Sequence, residues 1–561
     1  MRTSTGPSEG STTAADLERD PVGLEILWSR LIAIADEMAA TVLRTAVSPV
    51  IGSAQDFGCE LLDATGSGLS HATRSMPVFN LVLPEVTRAL LAHHPVATMG
   101  RGDVWITNDP WLCAGHLDDI AAITPIFRGD RVIAFACTVA HASSIGGVLD
   151  GLRARDLYEE GFAIPLLKLH DAGRPNETLL ALLAANVRQP EMVLTDVAAQ
   201  VAANEVGAQR LLAFLDDYGL DGAEELAAIV QGRAEGAMRR AIAAVPDGVY
   251  RNQTTVEGAA GGGDLLLQVE VTIAGDEIAV DYSGSSPQQA GGGINCTLSY
   301  TRAHTVYPLK CLFTPGVPSN EGCFRPIHVR VPEGSVLNAR RPASVNARTQ
   351  TGWHIHDLLF GALDPAMPER VQAGNGLMHA LRATGHEQNG TPFGVHFFTG
   401  GGRGAGGGQA GLGSNCFPSS AGNVPVEVFE ARAPILVDER TLLPGTEGGG
   451  LTPGTPGHRF RLRRLPGSEA DVRLYLHPDR LRYPARGRFG GGDARLTRVL
   501  LNGEDLTGGT GALDQGEVVL ATDDDVYTSE VSGGGGMGTP EPSPEWLEGR
   551  CGRLVPSTGV E

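Results

Sequence analysis

Residues 115–141 read GHLDDIAAITPIFRGDRVIAFACTVAH, and this stretch decides how the chain is read. Two apolar, β-prone runs, Ile120–Phe127 and Arg131–Ala140, flank Arg128-Gly129-Asp130. Two such runs around a short glycine-containing turn predict a β-hairpin. Pairing outward from the turn sets Asp119 opposite His141 at the open end, with Cβ atoms about 5 Å apart. His116 lies three residues before Asp119, close enough for a loop to fold it onto the same point. Two imidazoles and a carboxylate converging there suit a divalent ion such as zinc, manganese or iron. An incomplete protein ligand set leaves a position for water. On spacing alone, a hairpin-end histidine is more often a surface or packing residue, and Asp118 competes with Asp119 for the ligand role.

The chain has 561 residues, enough for several cores without disulfide or metal staples. Its net charge of −21 argues against nucleic acid and anionic membranes as partners. Lysine occurs only at Lys168 and Lys310, neither in a GxxxxGK frame, so the sequence holds no Walker-A phosphate loop. None of the eight cysteines forms a CxxC pair, and scattered single thiols fit a reducing, cytoplasmic setting. A polar N-terminal stretch predicts no signal peptide, and no run of about 18 apolar residues predicts a membrane span.

Asp20-Pro21 reads as a helix cap and first turn, followed by Leu24, Leu27, Trp28, Leu31, Ile34, Ala35, Met38 and Val42 at helical spacing. Strands are predicted at 55–63 and 103–107, a helix at 77–93, and two or three Ala-rich helices within 174–245. Short alternating runs follow from 249 to 345, then a helix near 356–363. After that, glycine clusters at 400–408, 448–450, 490–492 and 533–536 punctuate short strands. Turns and close packing are the ordinary reading of these clusters; cradling phosphate with backbone N–H groups is the other. The fold class is α+β: multi-lobed, with mixed helices, largely antiparallel sheets and many Gly-rich loops. The expected organisation is a disordered tail at 1–19, an α+β lobe at 20–245, a β-rich section at 246–345, a Gly-rich α+β lobe at 346–552 and a tail at 553–561.

Several blocks resemble the hydantoinase B/oxoprolinase family. They are Asp56-Phe57-Gly58-Cys59 with Asp63, Gly115 to Ile120, His141 with Gly146-Gly147, Leu157 to Pro165 and Ala185-Asn186-Val187-Arg188. Further along come Asp281 to Pro287, Asn320 to Ile327, Pro332 to Ser335, Pro425-Val426-Glu427 and the glycine run at 533–536. The likeness runs in order from about residue 20 to residue 540.

This resemblance implies one half of a two-component enzyme. A hydantoinase A-type partner would bind ATP and phosphorylate the substrate carbonyl. This half, which binds no ATP itself, would complete ring opening of a cyclic amide (hydantoin, 5-oxoproline or lactam) at a zinc or manganese centre. The same scaffold in an ATP-dependent ketone carboxylase is the alternative, and a non-catalytic scaffold role is a third. Carried over position by position, the metal ligands fall on Asp56, His116, Asp119 and His141, the family's H-x-x-D spacing selecting Asp119 over Asp118. Glu60 is the fallback for Asp56. His116, Asp119 and His141 become catalytic residues, and Arg188 would steady the departing phosphate, a helix-end salt bridge being its competing reading. The chain departs from the pattern at Ser144, where many relatives carry an acid, and in the Gly-rich stretch 399–415. His354 and His356 read as surface residues, Glu159-Glu160 as a solvated face, and Cys59 as core.

Overall fold

The structure, a computed structural model, describes residues 20–259, 261–406, 413, 416–510, 513 and 516–539. The tails expected at 1–19 and 553–561 fall outside these residues, as does part of the glycine cluster at 400–408.

Helix α1, Pro21–Thr45, begins where Asp20 caps it by accepting from the Gly23 N–H at 2.9 Å, with Pro21 fixing the first turn. All eight residues of its predicted apolar stripe are buried. The helix packs on a seven-stranded antiparallel sheet. Its strands are β1 (Phe57–Asp63), β2 (Gly68–His71), β3 (Val104–Thr107), β4 (Asp119–Arg128), β5 (Arg131–His141), β6 (Leu167–Asp171) and β7 (Arg174–Pro175). They lie in the order β2-β1-β5-β4-β3-β6-β7. β4 and β5 form the predicted hairpin, with Asp119 opposite His141 and Arg128 opposite Arg131. A bulge between Ile126 and Phe127 shifts the register near the turn and leaves the open end as predicted. Helix α2 (Pro77–His93) lies against β1, with His93 at its terminus. The Ala-rich region forms α3 (Glu177–Asn186), α4 (Pro190–Asp217) and α5 (Glu224–Ala243). α4 clamps the hairpin through buried amides: Gln200 Nε2 donates to the Ile120 carbonyl at 2.8 Å, and Asn204 Nδ2 to that of Ala122 at 3.0 Å.

A second sheet holds β8 (Gly248–Val256), β9 (Leu265–Ala274), β10 (Glu277–Asp281) and β11 (Ile327–Arg330). The alternation in LLLQVEVTI buries Leu265, Leu267, Val269, Val271 and Ile273 on one face of β9. The β10–β11 pair is parallel, because helix α6 (Leu298–Phe313) carries the chain across between them. Helix α7 (Ile355–Leu363) follows. The third sheet, β13-β12-β16-β19, uses β12 (Met378–His386), β13 (Pro392–Gly400), β16 (Asp471–His477) and β19 (Glu517–Leu520). The fourth uses β14 (Ile435–Leu443), β15 (Gly457–Arg464), β17 (Arg498–Leu501), β18 (Glu504–Asp505) and β20 (Val526–Glu530). Mixed helices and largely antiparallel sheets are therefore what the sequence led us to expect. One apolar core runs from Leu24 to Val531, and a second lies where Ile106, Leu117 and Ile120 meet Leu183 and Val193. No helix among the described residues is long and apolar enough to cross a membrane.

The late glycine clusters pack on one another. Gly448 donates to the Gly534 carbonyl, Gly536 to Gly492 and Gly535 to Gly374. A Cβ on Gly534 would stand 2.1 Å from the backbone of Arg403. Close packing of backbone on backbone is what these glycines provide.

Two expectations are corrected. His354 and His356 are buried, at 1% and 0% exposure, around the start of α7, because His354 pairs with Asp479 and His356 packs on His304 and Phe417. Glu160 is no solvated residue: its buried carboxylate accepts from the backbone N–H groups of Val345 and Asn346. Glu159 pairs with Arg155, and Cys59 is buried as expected.

Phe135 is fully buried in β5, with β1 on one side and β4 on the other. Phe135→Ala should destabilise the protein by about 3–5 kcal/mol. A lowered midpoint in urea unfolding, followed by circular dichroism, checks this; an unchanged midpoint contradicts the core placement.

Candidate metal centre

Three adjacent strands end at one place. β5 lies between β1 and β4, so His141 at its end has Asp119 on one side and Asp56, just before β1, on the other. The His141 N–H donates to the Asp56 carbonyl at 3.1 Å, extending the ladder by one step. His116 arrives from the loop before β4, where the Ala142 N–H donates to the Asp118 carbonyl at 2.7 Å. Gly115 allows that loop: its φ is +86°, and a Cβ would stand 2.9 Å from both Arg348 Cδ and Tyr300 Cβ.

The Asp119 side chain, with no exposed surface, is the centre of the cluster. One oxygen accepts from His141 Nδ1 at 3.0 Å. The other lies 2.7 Å from His116 Nε2 and accepts from Arg348 Nη2 at 2.9 Å. Asp56 Oδ2 is 3.9 Å from His141 Nδ1. Asp118, the competing aspartate, faces the other way round the ring: its Oδ2 accepts from Asn346 Nδ2 at 2.9 Å and lies 3.5 Å from His116 Nδ1. Arg348 is locked by donating to the Ala114 carbonyl at 2.6 Å and by lying 4.5 Å over the Tyr300 ring.

Burial and neighbouring charge oppose each other here. Burial raises the Asp56 carboxyl to about 7, against the pull of His141. Burial alone would lower His141, but its hydrogen bond to Asp119 and the charges of Asp56 and Asp119 raise it to about 9. Asp119 is held below the ordinary carboxylate range despite its burial, by the adjacent His116 and Arg348 and the hydrogen bond from His141. Burial and the Arg348 charge lower His116.

This donor set fits a divalent cation. Ligand atoms of His116, Asp119 and His141 lie within 4.8 Å of one another. His116 Nε2 is buried and, although close to Asp119, is not aligned to hydrogen-bond to it. Asp56 Oδ1 is also buried, without a hydrogen-bond partner among the described residues. Groups so placed are costly unless a ligand satisfies them. A cavity of about 120 Å³ opens over the cluster, walled by Met76, Phe79, Trp353, Met378 and Phe398 among others.

Asp56, His116, Asp119 and His141 thus come together. Arg188 stands apart: it is exposed, does not line the cavity, and donates to the carbonyls of Gly146 and Gly147. Ser144 is buried behind the cavity wall, its hydroxyl accepting from the Arg188 and Gly146 N–H groups. Glu60 points away from the cavity, near Glu321 and Arg88. Sequence reasoning missed His304, Arg348, Arg382, His396 and His477, all of which line the cavity. No local pattern signals them, since each reaches the site through tertiary docking. His396 meets His141 edge-on at 5.4 Å between ring centroids, and burial lowers its pKa. Burial also lowers His477, to about 4.

The model of the Hydantoinase B/oxoprolinase family matches residues 20–540. A B-type D-/L-hydantoinase component from Pseudomonas sp. (strain NS671), named as a subunit, is 30% identical over 461 residues, covering 78% of each chain. The crystal structure of ATP-dependent caprolactamase from Pseudomonas jessenii superposes with a TM-score of 0.84 at 25% identity, covering 94% of this chain and 93% of that one. An acetone carboxylase structure shares the fold, with a TM-score of 0.81 at 19% identity, covering 95% of this chain and 78% of that one. The chain belongs to the hydantoinase B/oxoprolinase family.

Proposed function

We propose that this chain is the metal-dependent catalytic subunit of a two-component, ATP-dependent cyclic-amide hydrolase. The observation that carries the reading is the buried convergence of His116, Asp119 and His141, with the Asp56 oxygen unpartnered among the described residues beside it, lining a small cavity.

Asp56, His116, Asp119 and His141 would hold one divalent ion, zinc or manganese. Bound there, the ion supplies Lewis-acid charge that polarises a carbonyl or phosphoryl oxygen. Asp119, fixed by Arg348, holds the His141 imidazole in orientation. The apolar walls at Phe79, Trp353, Met378 and Phe398 limit water and suit a small ring. Arg188 acts on this reading as a brace for the 146–147 loop beside the site.

ATP would be held by a hydantoinase A-type partner. Both lysines of this chain have structural partners: Lys168 pairs with Asp103 and Asp171, and Lys310 donates to the carbonyls of Thr314 and Val317. The described glycines of the late clusters pack against backbone, much of it in one another. The naming of the 30% identical relative as one subunit of an enzyme supports a partner. Seven cysteines among the described residues are free thiols, which fits a cytoplasmic setting. The hydrolase reading is favoured over ketone carboxylation because the acetone carboxylase likeness, at 19% identity, is one of fold.

Purified protein should carry about one divalent ion per chain by elemental analysis. His116→Ala and His141→Ala should each weaken metal binding at least about tenfold, with circular dichroism unchanged. Full metal content in both variants would overturn the assignment. Combined with its partner and ATP, the protein should release phosphate with hydantoin, 5-oxoproline or a lactam, and Asp56→Asn should slow that release about tenfold or more. Turnover only with a ketone and bicarbonate would replace the hydrolase reading with the carboxylase one.

A further inference from the structure

One wall beside the metal ligands is the third sheet, and its register brings an arginine and two histidines into the cavity. On β12, Arg382 pairs with His396 of β13 and with Tyr475 of β16. Two residues along, Ala380 pairs with Phe398 and His477. Alternation along each strand puts these six residues on one face, and all six line the cavity.

Arg382 is under-used by the protein itself. Its guanidinium carries five N–H donors, yet its one acceptor among the described residues is the Ser143 carbonyl, 3.1 Å from Nη2. Its Nε is buried with no partner. It forms no ion pair among the described residues; Asp118 attracts it at longer range, while the Asp118 carboxylate is taken by Asn346. The other cavity arginine, Arg348, is neutralised by direct contact with Asp119. His477 Nε2 is also buried without a partner. A half-buried guanidinium whose Nε is buried and unpartnered favours a planar or tetrahedral oxyanion that can take up its remaining donors.

We propose that Arg382, flanked by His396 and His477, forms an oxyanion subsite that holds a carboxylate or phosphoryl group of the substrate in the cavity beside the metal ligands. The inference rests on the hydrolase reading above and adds the residues that would hold the negative charge, whether it is a ring carboxylate or comes from phosphorylation of the carbonyl. The two sources share one chemistry and differ in when the charge arrives.

Titration calorimetry on the full chain tests this, with inorganic phosphate, 5-oxoproline and uncharged 2-pyrrolidinone as probes. The wild type should bind at least one of the two anions. Arg382→Met should weaken that binding about tenfold or more, leave 2-pyrrolidinone unchanged, and be partly rescued in Arg382→Lys. His477→Gln should weaken the same anion, which keeps the test open should Arg382→Met fold poorly. Arg302→Met, at an exposed ion pair with Glu85, is the control that should change nothing. A loss confined to 5-oxoproline assigns the subsite to a substrate carboxylate; a loss confined to phosphate assigns it to the phosphoryl group. Equal anion affinity in wild type, Arg382→Met and His477→Gln overturns the proposal, as does a wild type that binds neither anion. Metal content of the same proteins separates the two readings. Arg382-dependent anion binding in a chain without metal would sink only the metal centre, and full metal with indifference to Arg382 would sink only the subsite.

Discussion

The carboxylate of Asp119 is wedged between two imidazoles and a guanidinium, and the rest of the site follows from how it is fixed. It sits at the first residue of β4, directly opposite the last residue of β5. Because side chains alternate along a strand, a one-residue slip of the hairpin would turn Asp119 or His141 to the wrong face. The register is therefore the constraint the site can least tolerate losing. The buried amides of α4 on the β4 carbonyls, and β1 along the other side of β5, both hold it.

That constraint was legible because it is local. The turn at 128–130 and the apolar runs on either side set Asp119 against His141, and the bulge at Ile126/Phe127 falls between turn and site without disturbing them. The eight-residue stripe of α1 was equally legible, since helical period and burial coincide there. Asp56 was not readable from spacing, because a strand far earlier in the chain had to pair with β5; the family resemblance supplied it. The cavity's far wall was readable from neither source. Arg382, His396 and His477 sit in strands whose alternation predicts a face but not what that face meets.

The same limit explains the misreadings. His354 and His356 belong to a segment buried by other parts of the chain, so their polarity suggested a surface that tertiary packing removes. Glu160 became a structural acceptor because the loop at 345–346 presents two backbone N–H groups to it.

What distinguishes a built site from coincident polar residues here is the set of groups left unsatisfied: Asp56 Oδ1, His116 Nε2 and Arg382 Nε, all buried around one cavity. Each is costly unless a ligand satisfies it. The most direct measurement of the metal centre is anomalous X-ray scattering from crystals of the metal-loaded chain, recorded at the absorption edge of the bound ion. A single peak should stand about 2.0–2.2 Å from donor atoms of His116, Asp119 and His141, with Asp56 completing the set. A peak elsewhere, for instance among Glu257, His354 and Asp479, with none at the hairpin end, would contradict it.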